Sequence, residues 1–272
     1  MSIVIRIDPP LGGPLAAQAD AIIQALVRAA DDPAVAVSVW PSHLADLAAL
    51  VRDGDTRTIR LIVEPADERH DAAASAGGFS RVRELYQLRR PLPLEQALID
   101  ATPAINTRSF VPGADETAWV EVNNRAFAWH EDQAGWTVAD LVAREAEPWF
   151  DPNGVLLFEH DGRLVGFCWT KVHTDSDPPL GEIYVIAVDP DFHGLGIGRS
   201  LAVAGLDHLA KAGITTGMLY VEANNEPALR LYRSLGFRVH HHQRHYIFVS
   251  EAGDRSPVPN QPAGPGPYGL DR

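Results

Sequence analysis

The chain has 272 residues, 46% of them hydrophobic and 22% charged, with a formal charge of −13 at pH 7. That balance suits one large or two small soluble domains with a buried core, and the acidic excess excludes broad nucleic-acid binding, which needs a basic face against the phosphates. Cys168 is the single cysteine, so an intrachain disulfide is excluded; with no apolar run near the ~20 residues that cross a bilayer and no cationic leader, a cytoplasmic protein without membrane contact is expected.

In chain order, SIVIRI (residues 2–7) is short and β-branched and predicts a strand stopped by DPPLGGP. Residues 16–30 carry apolar residues at helical spacing, VAVSVW (35–40) reads as a strand, and HLADLAALV (43–51) reads as a second helix. IRLIV and VRELYQL read as two further strands, and the small, polar DERHDAAASAGG between them reads as a loop. Four prolines in residues 91–115 place a linker near 96–115. Residues 116–129 and 137–146 then read as helices, the second opened by Thr137 as N-cap. GVLLFEHDGRLVGFCWTKV is two strands joined at Asp161-Gly162, a hairpin signal. EIYVIAV is a strand, residues 198–212 an Ala/Leu-rich helix ended at Gly213, and GMLYVEA another strand. EPALRLYRSL is a helix with Pro227 in its first turn and Gly236 just past its end. RVHHHQRHYIFV is the last strand, and the Pro/Gly-rich residues 251–272 read as a disordered tail.

The second half therefore reads α-α-β-β-β-α-β-α-β, and the first half repeats only the end of that order. Two copies of one α/β unit are expected: an incomplete domain over 1–95, a linker over 96–115, a complete domain over 116–250 and the tail over 251–272.

GEIYVIAVDPDFHGLGIGRSL (181–201) carries the chemistry. Glycines at the mouth of a helix let backbone N–H groups approach an anion. A P-loop needs a lysine that is absent, and a dinucleotide fingerprint needs a third glycine where Arg199 stands. His193-Gly194-Leu195-Gly196-Ile197-Gly198 instead resembles the [QR]-x-x-G-x-[GA] pyrophosphate loop of the Gcn5-related N-acetyltransferases (GNAT), with His in the first place. The N-x-x-A-x-x-x-Y-x-x-x-G-F block of that superfamily is matched by Asn225, Ala228, Tyr232, Gly236 and Phe237. Longer segments, among them WVEVNNRAFAWHEDQAGW, EPWFDPNGVLLF, VGFCWTKVH, GEIYVIAVDP and LYVEANN, resemble the mycothiol synthase family of two-domain acetyltransferases over residues 116–249.

The resemblance implies an α/β fold class: tandem GNAT units, each a mixed, mainly antiparallel sheet flanked by helices, the first copy truncated at Met1. It implies acetyl-CoA as co-substrate and desacetylmycothiol, a cysteine–glucosamine–inositol conjugate, as acceptor, with catalysis in the second unit; no metal and a monomeric acting form are expected. It assigns Glu182 as general base and Tyr232 as the acid for the CoA thiolate. Ile186, Ala187 and Val188 would hold the pantetheine through their backbone. His193, Gly194, Leu195, Gly196, Ile197, Gly198 and Arg199 would hold the pyrophosphate. Asn225, Glu226, Pro227, Ala228, Leu229 and Arg230 would line the CoA side. Asp132, Lys171, Glu182 and Tyr220 would contact the acceptor, Asp132 standing one methylene short of the usual Glu.

Read without the family, Glu182 is either a solvated strand-end glutamate or, if partly buried, a base, while Tyr232 is an apolar-face residue, Lys171 a solubilising lysine and Tyr220 a core aromatic. Cys168 lies in an apolar strand and reads as core. Consecutive histidines at 240–242 cannot converge on a metal from one strand, because neighbours point to opposite faces. Two other functions share these signals: a protein N-terminal acetyltransferase, and a non-catalytic acetyl-CoA-binding module.

Overall fold

The computed structural model describes residues 2–8, 13–30, 33–52, 58–128 and 135–250. Asp132, Trp129, the first residues of the early Pro/Gly loop and the tail 251–272 lie outside the described residues. The chain divides into two compact units, one built from the residues up to Gln87 with Val221–Glu226 and the segment from Val239, the other from Leu88–Tyr220 with Pro227–Arg238.

In the first unit, β1 (Ser2–Asp8) pairs antiparallel with β2 (Thr58–Glu64). Their register sets Ile3, Ile5 and Ile7 opposite Val63, Leu61 and Ile59, so one pleat face is wholly aliphatic. That face packs with Leu26 of α1 (Gly13–Ala30), with Trp40, Leu44, Leu47 and Val51 of α2 (Pro33–Arg52) and with Ala73 and Ala74 of α3 (Glu68–Ala76). β3 (Ser80–Pro91) and β9 (Arg238–Val249) complete the strand order β1-β2-β9-β3.

Two expectations are corrected here. VAVSVW is not a strand: residues 35–40 belong to α2. The helical spacing of Trp40, Leu44, Leu47 and Val51, all fully buried, extends the helix back through a β-branched run whose propensity is the weaker effect. DERHDAAASAGG is not a loop but contains α3. The Asp67 side chain accepts from the backbone N–H groups of Arg69 and His70, and His70 Nδ1 accepts from the Asp67 N–H, a reciprocal cap that lets a short, small-residue helix form.

In the second unit, the segment read as a linker carries α4 (Gln96–Asp100) and β4 (Thr107–Ser109), elements too short to show a period. α5 (Glu116–Ala126) and α6 (Val138–Glu145) follow, the latter capped by Thr137. β5 (Val155–His160) and β6 (Arg163–His173) form the hairpin expected at Asp161-Gly162, both residues at positive φ, 51° and 74°. β7 (Leu180–Val188), α7 (Ile197–Lys211), β8 (Thr216–Glu222) and α8 (Glu226–Ser234) complete the expected order. Along the central strand β6, Phe167 and Trp169 face the aromatic core of Trp119, Trp136 and Tyr184, while Cys168 and Thr170 face Gly205 of α7. Burial on both faces explains its continuous apolar run. Among the described residues no helix is long and apolar enough to cross a membrane.

Candidate active site

β7 and β8 run parallel and are in register at Gly181↔Gly217 and Glu182↔Met218. The paired register ends there although β7 runs on to Val188, so the β7 backbone at Ile186, Ala187 and Val188 lies beyond the ladder with β8. On the β6 side the register shifts between Trp169 and Thr170, which makes Tyr184 the extra residue of a β-bulge. Bulges re-aim side chains next to functional sites; this one sets Tyr184 beside Glu182 on the face shared with Trp169 and Lys171.

Glu182 is buried, and its Oε2 lies 2.8 Å from His173 Nε2. Lys171 stands directly opposite it across the ladder. The Lys171 Nζ sits over the Trp149 ring at 4.1 Å and over Tyr184 at 5.4 Å, a cation–π arrangement that places the charge beside an aromatic wall. Trp149 in turn meets Tyr184 edge-on at 4.9 Å.

Past Val188 the chain is pinned before it becomes glycine-rich. Asp189 is fully buried and accepts from Arg125 at 3.0 Å and Arg163 at 2.6 Å. Burial would raise its carboxyl, but the Asp191 N–H and the two guanidinium groups bring it below the ordinary value. The His193 ring donates to the Val188 carbonyl at 3.0 Å. Gly194 and Gly196 both have φ near 80°, a region that penalises any side chain. Gly196 caps α7 without a side chain, so the N–H groups of Ile197 and Gly198 lie at its positive end, while that of Arg199 donates to the Gly196 carbonyl at 3.0 Å. Gly198 is different: a Cβ there would meet nothing nearer than Val188 Cγ2 at 3.8 Å. Neither backbone nor packing demands glycine at 198, so the bare surface leaves room for the close approach of a ligand. Arg199 donates to Thr102 Oγ1 and Ser234 Oγ, tying the start of α7 to its surroundings.

Tyr232, on α8, is buried and packs edge-on against Phe237 at 5.7 Å. Asn225 precedes α8; Glu226, Pro227, Ala228, Leu229 and Arg230 make its first turn and a half. Leu229 is buried and belongs to the packing. Tyr220 is half-buried on β8, and Leu195 is two-thirds exposed at 67%. Cys168 is buried, and burial pushes its thiol up to about 12. His241 pairs with Glu64 and His242 with Glu84, on opposite faces of β9; among the described residues no group of three or more His, Cys, Asp or Glu is arranged to hold a metal. Two residues of this region went unread in the sequence, His173 and Asp189. A histidine two positions beyond Lys171 on one strand, and an aspartate ending the strand before the glycines, were the signals available.

The family model for the acetyltransferase (GNAT) family matches residues 119–237. A GCN5-related N-acetyltransferase from Sphaerobacter thermophilus superposes with a TM-score of 0.55 at 22% identity, covering 76% of this chain and 64% of that one. A tandem GNAT protein from the clavulanic acid biosynthesis pathway superposes at 0.54 and 17%, covering 82% and 72%. The fold is that of the GNAT acetyltransferases, in tandem. Among curated relatives, mycothiol acetyltransferases from Thermomonospora curvata and Acidimicrobium ferrooxidans are 56% and 59% identical over 169 residues, covering 61% and 60% of this chain. One from Frankia alni is 42% identical over 246 residues, covering 86% of this chain and 67% of the relative. The chain belongs to the mycothiol acetyltransferase family. It spans 55% and 54% of the length of the first two relatives.

Proposed function

We propose that this chain transfers the acetyl group of acetyl-CoA to the cysteinyl amine of desacetylmycothiol, giving mycothiol. The observation that carries this reading is a buried glutamate, Glu182, on the strand that leads into a glycine loop whose Gly198 no packing requires, in a chain 42% identical to a mycothiol acetyltransferase over 86% of its length.

In this reading the second unit does the chemistry. N–H groups from Gly194 to Gly198 hold the pyrophosphate at the start of α7, with the Arg199 guanidinium beside them. Backbone N–H groups of Ile186 to Val188 align the pantetheine and polarise the thioester carbonyl. Pro227 to Arg230 flank the CoA. Lys171, Tyr220 and Asp132 orient the acceptor, and Glu182 takes the amine proton as the nitrogen bonds to the carbonyl carbon. The C–S bond then breaks, and Tyr232 gives its phenolic proton to the departing thiolate and regains one from solvent. One chain supplies every group named, and a monomer is the form in which we propose it acts.

The test is turnover of purified protein with acetyl-CoA and either desacetylmycothiol or N-terminal peptides, with product followed by mass because the acceptor carries its own thiol. Acetylation of desacetylmycothiol alone, lost in Glu182→Gln, is the expected result. Acetylation of peptides instead would reassign the substrate class, and acetyl-CoA binding without turnover of either would make the chain a binding module.

A further inference from the structure

The bond between Glu182 and His173 assigns a part to a residue that the reading above leaves without one. His173 is the last residue of β6, and its Cα partner on β7 is Leu180, two residues before Glu182. The two side chains are thus diagonal neighbours on one face of the ladder, a separation that a histidine and a glutamate can span. Their meeting, 2.8 Å from Nε2 to Oε2, is the hydrogen bond the structure gives this carboxylate. The Glu182 side chain is 4% exposed and that of His173 25%, so the acid is enclosed while its partner stands at the rim.

A glutamate carboxylate turns easily about its last torsion, whose energy profile is broad and two-fold. Catalysis by a base demands the opposite, because the oxygen must lie within hydrogen-bond reach of the proton it removes. A donor held on Oε2 fixes the plane of the carboxylate and leaves Oε1 to meet the amine. His173 can hold it well, since it belongs to the strand hydrogen-bonded to that of Glu182 and has few rotamers of its own. With Nε2–H donating, Nδ1 faces away from the carboxylate.

We propose that His173 is the positioning residue of the base: its Nε2–H holds Glu182 in the orientation that receives the amine proton. This rests on Glu182 being the base.

The experiment compares His173→Ala, His173→Gln and Glu182→Gln for kcat, KM and acetyl-CoA binding, with kcat expressed per acetyl-CoA-binding site. Glutamine can place an N–H donor where Nε2 stood. His173→Ala is expected to lower kcat by about a hundredfold, the usual effect of a misplaced catalytic group, with acetyl-CoA affinity within about twofold of wild type. His173→Gln is expected to recover kcat to within about tenfold of wild type, since the donor is restored. Should His173→Ala not fold, His173→Asn replaces it, because its amide is too short to reach Oε2 and it should be as slow. A purely structural role would change the yield of binding-competent protein and leave kcat per site untouched. Wild-type kcat in His173→Ala beside an inactive Glu182→Gln would overturn the proposal and spare the base assignment, as would a His173→Gln enzyme as slow as the alanine variant. Full activity in Glu182→Gln would sink both.

Discussion

Asp189 and Arg163 form an ion pair of 2.6 Å in which the carboxylate is wholly enclosed and the guanidinium half open to solvent. Asp189 ends β7, and its other oxygen accepts from Arg125 of α5, so one side chain fastens a strand end and a helix at the entrance to the glycine loop.

Replacing Asp189 by Asn should therefore destabilise the fold by about 2 kcal/mol, less than the loss of a fully buried pair because both arginines are half exposed. The carboxyl titrates below its ordinary value in the folded state, so its contribution is complete above the unfolded value near 4 and is lost as pH falls through the folded value. Urea unfolding of the two proteins at pH 7 and at pH 3 checks both points: the gap should narrow at the lower pH.

Gly198→Ala should separate stability from binding. A methyl group meets only Val188 Cγ2, at an ordinary 3.8 Å, and alanine is the better helix former by about 1 kcal/mol. Thermal stability should hold or rise, while KM for acetyl-CoA rises by about tenfold or more, the result expected if a ligand lies against that surface. Unchanged KM would remove the pyrophosphate from residue 198.

Gly205 and Cys168 share one space, since a Cβ on Gly205 would overlap the Cys168 sulfur. Gly205→Ala should cost about 1–3 kcal/mol in the native background, where overpacking outweighs the helix preference of alanine. In Cys168→Ala the remaining neighbours lie at 3.5 and 3.7 Å, and the same change should become neutral or stabilising by up to about 1 kcal/mol. A double-mutant cycle measured by denaturant unfolding reads the coupling directly.

The Cys168 thiol should be silent toward a thiol reagent at pH 8 in the native protein and react fully once the chain is unfolded. Burial raises it to about 12, so the thiolate that such reagents need is scarce and enclosed. Because that value lies above the unfolded one, its stabilising effect is complete below about pH 8.5 and fades as pH climbs toward the folded value. Rapid native labelling would contradict the packing of β6 on α7.

Lys171→Met keeps most of the apolar stem over Trp149 and removes the charge. KM for the amine acceptor is expected to rise by about tenfold, with KM for acetyl-CoA unchanged, if the lysine orients the acceptor. Equal changes in both constants would indicate a general distortion of the aromatic wall that Trp149 and Tyr184 form around it.

Local chemistry made much of this protein legible in the sequence. The order of elements from α5 to β9, the Asp161-Gly162 hairpin and the positive-φ glycines before α7 depend on periodicity and backbone freedom within a few residues, and these can be read in one pass. Capping within residues 67–70 was equally local but masked by the small, polar run around it. What the tertiary structure alone decided is non-local. Residues 35–40 became helix as the first turns of α2, whose face from Trp40 to Val51 is buried in the core. Glu182 gained Lys171 as its opposite and His173 as its partner only through strand register and a bulge, and Asp189 gained Arg125 and Arg163 from 64 and 26 residues away. A hydrogen bond of 2.8 Å depends on where two strands are set against each other, and no spacing along a single strand carries that information.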